Sequence, residues 1–211
     1  MPAGQKTIRV LTVDDHALLR NGIRRLIGTE SDMRLVAEAS TGREALEEFR
    51  THRPDVTLMD LQMPDMNGIE AIIAIRGEFL EARIIVLSTY SGDVQVARAL
   101  KAGARAYLLK TNVNKELLTT IRAVHAGQKR IPAEVASGLA EHTGDDYLTE
   151  REIDVLRLIA AGNANKEVAA QLDLAEDTIK RHVTNILSKL GANDRTHAVT
   201  IGLKRGIIQL Q

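Results

Sequence analysis

Short apolar runs alternate with amphipathic stretches along the first 126 residues. Ile8–Val13, Leu35–Ala39, Val56–Met59, Arg83–Leu87 and Ala106–Leu109 read as strands. Between and after them, Ala17–Gly28, Arg43–Thr51, Gly68–Ile75, Val94–Ala102 and Asn114–Ala126 carry the helical period. In the last of these, Leu117, Leu118, Ile121 and Val124 form one stripe. Strand and helix alternating in this way predict an α/β domain, a doubly wound five-stranded parallel sheet with helices on both faces. After Gly127 the pattern changes. Pro132–Leu139 reads as a short helix, and Glu141–Asp146 is polar with a glycine, as a linker would be. From Leu148 onward everything reads as helix: Glu150–Ala161, Lys166–Leu172, Asp177–Leu190 and Arg195–Arg205. The expected organisation is a first domain over 6–127, a short helix and linker over 128–147, and an all-α four-helix domain over 148–211.

Composition narrows the function classes. Lys+Arg and Asp+Glu are both 28, which excludes a uniformly basic coat for blanket nucleic-acid binding. Cys is absent, so there is no disulfide, no thiolate nucleophile and no Cys-ligated zinc. The aromatic residues are three Tyr and two Phe, with no Trp, too few for single-strand binding by stacking. No apolar run approaches the roughly 20 residues of a membrane span. MPAGQKTIRV lacks a signal-peptide core. The expectation is a cytoplasmic, bacterial protein without a membrane partner.

Four strands end in polar residues of a particular kind: Asp14 and Asp15, Asp60, Ser88 and Lys110. In a doubly wound sheet, ligands sit beyond the carboxyl ends of the strands. One acidic strand end is an ordinary loop residue. Three carboxylates, a hydroxyl and an ammonium on the same edge form a site. Carboxylates so clustered repel unless a cation intervenes, and oxygen donors suit a small hard cation such as Mg2+.

These residues also carry a resemblance. VDDH at 13–16, MDLQMPDMNG at 59–68, VLSTY at 86–90 and AYLLK at 106–110 resemble the receiver domain of bacterial response regulators, which has a flavodoxin-like fold. The resemblance covers about residues 6–125, with the motifs in order. It implies that Asp60 accepts a phosphoryl group from a sensor histidine kinase. Asp14, Asp15, Asp60 and the backbone carbonyl of Gln62 would hold Mg2+. Lys110 would pair with the phosphoryl group, Ser88 would hydrogen-bond to it, and Tyr107 would be the aromatic that turns inward. Gln62 and Tyr90 would lie near the path of an attacking water and tune the lifetime of the mark. Many receivers have Pro after the lysine. Here Thr111 stands there, and a cis bond is not expected.

In the second domain, basic charge is uneven. From Thr178 onward Lys180, Arg181, Lys189, Arg195, Lys204 and Arg205 face a single acid, Asp194. A basic stripe on one helix is the footprint of a groove-entering element. The stretch LTEREIDVLRLIAAGNANKEVAAQLDLAEDTIKRHVTNILSKLGANDRTHAV resembles the LuxR-type helix-turn-helix. With the receiver in front, the whole chain is similar to NarL/FixJ-family response regulators. The resemblance implies a scaffold helix over Lys166–Asp173 and a recognition helix over Asp177–Leu190.

Lys180, Arg181 and Thr184 share the outward face and are the expected base-readers. Asn165, Lys166, Thr178, His182 and Lys189 are the expected backbone contacts. The family's Ser or Thr caps are replaced by Ala164 and Ala175, so Asn163 or Asn165 is expected to cap the first helix and Asp173 or Asp177 to help the second. Modest DNA affinity, dependent on dimerisation, follows. The apolar Ala198, Val199, Ile201 and Leu203 would pair two such domains on a promoter repeat, giving a homodimer when active. RNA polymerase is a candidate further partner. The chain is not expected to be an enzyme beyond assisting its own phosphotransfer and dephosphorylation. The alternatives are a Mg-dependent phosphatase, which would need an acid where Gln62 stands, and a regulator that works without phosphorylation.

Overall fold

A computed structural model describes residues 7–89, 93–131 and 148–208. They form two compact units. In the first, β1 (Ile8–Val13), α1 (Ala17–Gly28), β2 (Met33–Ala39), α2 (Gly42–His52), β3 (Val56–Asp60), α3 (Gly68–Glu78), β4 (Ile84–Ser88), α4 (Asp93–Ala102, from Val96 on), β5 (Ala106–Leu109) and α5 (Val113–His125) follow in turn. All ladders are parallel, and the strand order is β2-β1-β3-β4-β5. The expected doubly wound sheet is therefore present.

The central strands are apolar at nearly every position because both faces are covered. Every residue of β3 and β4 is buried. On one face, Val10, Val56, Leu58, Ile85 and Leu87 pack with Ile23 and Ile27 of α1 and Leu117, Ile121 and Val124 of α5. The residues between them are buried too: Leu11, Val13, Met59, Ile84 and Val86, as are Ala45, Phe49, Ala71, Ile72 and Ile75 on α2 and α3.

Element ends differ from the expected ones by one to three residues. β2 starts at Met33, not Leu35, because Met33 pairs with Ile8. α3 runs through Gly77 to Glu78, three residues past the expected end. Tyr90, Pro132–Leu139 and the Glu141–Asp146 linker lie outside the described residues.

The second unit consists of α6 (Glu150–Ala160), α7 (Asn165–Leu172), α8 (Glu176–Leu190) and α9 (Arg195–Lys204). Its core joins Ile153, Val155, Leu156, Ile159, Val168, Ile179, Ile186, Leu190 and Ala198. Val199, Ile201 and Leu203 are partly buried against it. α9 sits close on α6: a Cβ on Gly202 would come within 2.9 Å of Leu156 Cδ2.

The expected substitute caps did not form. Ala164 and Ala175 are the N-caps and offer no side-chain bond. Asn163 instead donates to the Leu158 carbonyl and accepts from Gln171. Asp173 sits beyond α7 in the left-handed region at φ 53°, and Asp177 accepts from Lys180. Glu167 supplies one half of a cap, accepting from the Ala164 N–H at 2.7 Å. α8 begins without such help, at a cost of about 1 kcal/mol relative to a Ser or Thr cap. Among the described residues, no helix is long and apolar enough to cross a membrane.

Candidate functional site

Strand register builds the site on the first unit. Val13 pairs with Met59, Asp60 with Leu87, and Ser88 with Leu109. The residues that follow or end these strands, Asp14, Asp60, Ser88 and Lys110, therefore come level at one sheet edge. Asp14, Asp60 and Ser88 are almost wholly buried. The Lys110 ammonium lies 2.8 Å from Asp14 Oδ2 and 2.7 Å from Asp60 Oδ2. One cation thus holds two buried carboxylates that would otherwise repel.

The second oxygens of these carboxylates are satisfied by backbone. Asp14 Oδ1 accepts from the His16 N–H at 2.8 Å, and Asp60 Oδ1 from the Gln62 N–H at 3.2 Å. Burial and the neighbouring Asp14 charge raise the pKa of Asp60, against the opposing pull of Lys110. Burial pushes the Lys110 ammonium down, but hydrogen bonds and charge from Asp14 and Asp60 more than reverse it.

Asp15 stands at the rim, about a third exposed, with His16 Nδ1 2.6 Å from its carboxylate. Ligand atoms of Asp14, Asp15, His16 and Asp60 all lie within 4.8 Å of one another. That spread lets one ion touch them all, since donors on opposite sides of a hard cation sit roughly 4–5 Å apart. The carboxylate-rich donor set fits Mg2+, the cation that receiver domains generally bind at this acidic pocket. Tyr107 is buried and hydrogen-bonded to Ser88. Burial pushes its phenol up to about 12, with Ser88 opposing. Tyr107 is thus already inside in this structure. No cis peptide occurs among the described residues.

The support of this site left no mark in the hydrophobic pattern. Gly68 opens α3 directly behind Asp60, and a Cβ there would lie 2.0 Å from the Asp60 carbonyl oxygen and 2.7 Å from Leu61 Cα. Only glycine permits that approach. Asn67 then caps α3 in a reciprocal box with Glu70, at 3.0 and 3.1 Å. The Asn67-Gly68 pair was the available signal. His16 was visible as the third residue after Val13, but nothing in the pattern set its imidazole on Asp15.

On the second unit, α8 buries Ile179, Ile186 and Leu190 and leaves Lys180, Arg181 and Thr184 exposed together. Lys180 is paired locally, 3.0 Å from Asp177 and 3.6 Å from Glu176. The Thr184 hydroxyl donates to the Lys180 carbonyl. Lys166 is exposed, while Asn165, Thr178 and His182 are half-buried. Lys189 is placed differently from the rest: its ammonium sits 2.8 Å from the buried Glu152 carboxylate. Glu152 also forms a reciprocal cap with Thr149. The Thr149-x-x-Glu152 spacing is a capping signature that could have found it.

Comparison with known proteins covers both units. Residues 10–122 match the model of the response regulator receiver domain. Residues 146–201 match that of the bacterial regulatory proteins of the luxR family. The chain is 41% identical over 206 residues to an uncharacterized transcriptional regulatory protein, YhcZ, of Bacillus subtilis, covering 93% of this chain and 96% of that one. It is 38% identical over 208 residues to the response regulator protein VraR of Staphylococcus aureus, covering 96% and 100%. Among solved structures, RcsB of Salmonella enterica serovar Typhimurium, bound to a promoter in the presence of phosphomimetic BeF3-, aligns with a TM-score of 0.70. It is 26% identical, over 93% of this chain and 98% of that one.

Proposed function

This chain belongs to the two-component response regulators that join a receiver to a LuxR-type DNA-binding domain, and we propose that its switch runs through Asp60. A receiver implies a histidine kinase partner, and a LuxR-type helix-turn-helix implies DNA. The family regulates transcription and is not a class of enzymes. The observation that carries the proposal is the Asp60 carboxylate, buried at the sheet edge and held by Lys110 at 2.7 Å.

In this reading an Asp60 carboxylate oxygen attacks the phosphorus of a phosphohistidine in line. The O–P bond forms as the P–N bond breaks, and the imidazole leaves. Lys110 is already within reach of the charge that develops on the phosphoryl oxygens. Asp14, Asp15, Asp60 and the Gln62 carbonyl would hold Mg2+, which when bound supplies further charge neutralisation there. Ser88 gives up its bond to Tyr107 to reach the phosphoryl group, and that exchange biases the surface built by α4 and α5. Slow hydrolysis of the phosphoaspartate is assisted by the same groups.

The output is DNA binding by α8, with Lys180, Arg181 and Thr184 at base edges and Asn165, Lys166, Thr178 and His182 at the backbone. α9 pairs two chains on a promoter repeat, and RNA polymerase answers the bound dimer. A kinase that hands over the phosphoryl group and the promoter that answers it both belong to the cytoplasm.

Intact mass after exposure to a small acyl phosphate with Mg2+ tests the acceptor. Wild type gains one phosphoryl group and Asp60→Asn gains none. Equal gain by both chains overturns the assignment.

A further inference from the structure

We infer that Asp177 determines sequence specificity: its carboxylate accepts a hydrogen bond from the exocyclic amino group of a cytosine or adenine in the major groove. The inference rests on the reading of α8 as the recognition helix and goes beyond the basic and hydroxyl contacts placed there.

The position comes from helix geometry. α8 turns its Ile186 into the core. At roughly 100° per residue, Asp177, nine residues earlier, points about 180° away from Ile186. It stands at the centre of the outward face. Lys180, Arg181 and Thr184 fall within about 60° of it on either side. The Asp177 side chain is 90% exposed, more than the 56% of Lys180 or the 48% of Glu176, which lies toward the flank. The N-terminal residues of a recognition helix are those that meet base edges. A helix that enters the groove with Lys180 and Arg181 foremost brings Asp177 in with them.

The chemistry of the groove then decides what Asp177 can do. A carboxylate only accepts hydrogen bonds. Major-groove edges offer mostly acceptors: N7 and O6 of guanine, N7 of adenine and O4 of thymine. The donors are the amino groups of cytosine and adenine. Where either stands opposite, Asp177 is satisfied. Where neither does, a desolvated carboxylate faces acceptors and phosphates, and binding is penalised.

In the unbound chain the Asp177 charge is met by Lys180 at 3.0 Å. The pair is thus ready to part over a base step that offers a donor to one and an acceptor to the other. An acidic residue in a first helical turn also suits the helix dipole. That role does not depend on the DNA sequence, which is what separates the two.

The test is selection from a randomised duplex pool at fixed salt. The full chain is used after treatment with a small acyl phosphate and Mg2+, and wild type is compared with Asp177→Ala. Wild type enriches a motif with one position per half-site at which cytosine or adenine is preferred on the order of tenfold. Asp177→Ala loses the preference at that position alone, keeps the others, and binds an unrelated duplex several-fold more tightly.

Should Ala at 177 disturb folding, Asp177→Asn replaces it. It shifts the same position toward adenine, which Asn pairs through two hydrogen bonds. An Asp177→Ala motif identical to that of wild type at every position overturns the inference. So does a uniform gain in affinity with no position changed. A wild-type chain that enriches no motif overturns the DNA reading and the inference together, and is recognised by that absence.

Discussion

Lys110 and Lys180 each sit close to two carboxylates, at 2.7 and 2.8 Å for Lys110 and at 3.0 and 3.6 Å for Lys180. Distance alone would treat them alike, but burial separates them. The Lys110 side chain is 13% exposed and its partners are almost wholly buried, whereas the Lys180 side chain is 56% exposed and its partners face solvent. At the sheet edge the ammonium replaces water that the carboxylates have lost, so removing it leaves charge with no counterpart. On α8, water stands ready for any partner that leaves, and the pair contributes little. The first arrangement suits a switch that must rest in one state. The second would suit a surface that exchanges its partners for DNA, as the proposed role of α8 requires.

The largest effect is expected from Lys110→Met. With Asp14 and Asp60 left together and unpaired, unfolding in urea with chelator present should show a loss of about 3–5 kcal/mol at neutral pH. Adding Asp60→Asn should recover much of the loss, since one buried charge is then gone. A Lys110→Met chain as stable as wild type would mean that the pair behaves as the exposed one does.

Gly68→Ala should come next. Its Cβ would fall 2.0 Å from the Asp60 carbonyl oxygen, and backbone cannot swing aside as a side-chain tip can. A cost of about 1–3 kcal/mol is expected. Phosphoryl acceptance should also be slower, read by intact mass against time, because Asp60 itself must shift. A stable variant with unchanged phosphorylation kinetics would show that α3 does not fix the acceptor.

Lys189 lies between the two extremes: it sits on a surface helix, but its partner Glu152 is buried. Burial pushes the Glu152 carboxyl up. Lys189 and the Thr149 cap more than reverse this, leaving its pKa below the ordinary glutamate range. A carboxyl depressed in the folded state contributes stability that is fully present above its unfolded pKa, near 4.3. That stability is lost as pH falls through the lower folded value. Lys189→Met should therefore cost about 1–3 kcal/mol at pH 7 and progressively less as the pH is taken below about 4. Thermal unfolding followed at several pH values reads this directly. A cost that does not change with pH would assign the loss to packing of the lysine stem.

How legible the molecule was follows the same division. Val56–Asp60 and Ile84–Ser88 are buried throughout, and their largely apolar runs announced them. Parallel pairing then left no choice about where Asp60 and Ser88 would end. Asp14, Asp60, Ser88 and Lys110 were thus readable from strand ends alone, because register is a long-range rule that acts on every strand together. The receiver and LuxR motifs added the roles. What escaped was local and set by side-chain choice. Asn163 was a plausible cap and bonds elsewhere. Lys189 looked like one more cation of a basic stripe, until Glu152 turned out to be buried beside it. Gly68 acts through the absence of a Cβ, which no polarity pattern registers. On α8, Lys180 has both Asp177 and Glu176 within reach, and sequence order does not rank such partners.

The smallest effect on stability, and the sharpest contrast with Lys110, is expected from Lys180→Ala. Exposed pairs at i,i+3 and i,i+4 spacing contribute little, so the urea midpoint of the full chain should barely move. Its DNA binding should move a great deal. A lysine that donates to a guanine edge is worth on the order of tenfold in affinity, with the loss concentrated at one position of the site. A lysine that only met phosphate would instead weaken all duplexes alike and lower the salt dependence by about one counterion. Measuring affinity for a selected duplex and an unrelated one, each at two salt concentrations, separates these outcomes. A substantial loss of stability with specificity intact would place Lys180 beside Lys110 after all, as part of the fold, and would leave Arg181 and Thr184 to carry the reading.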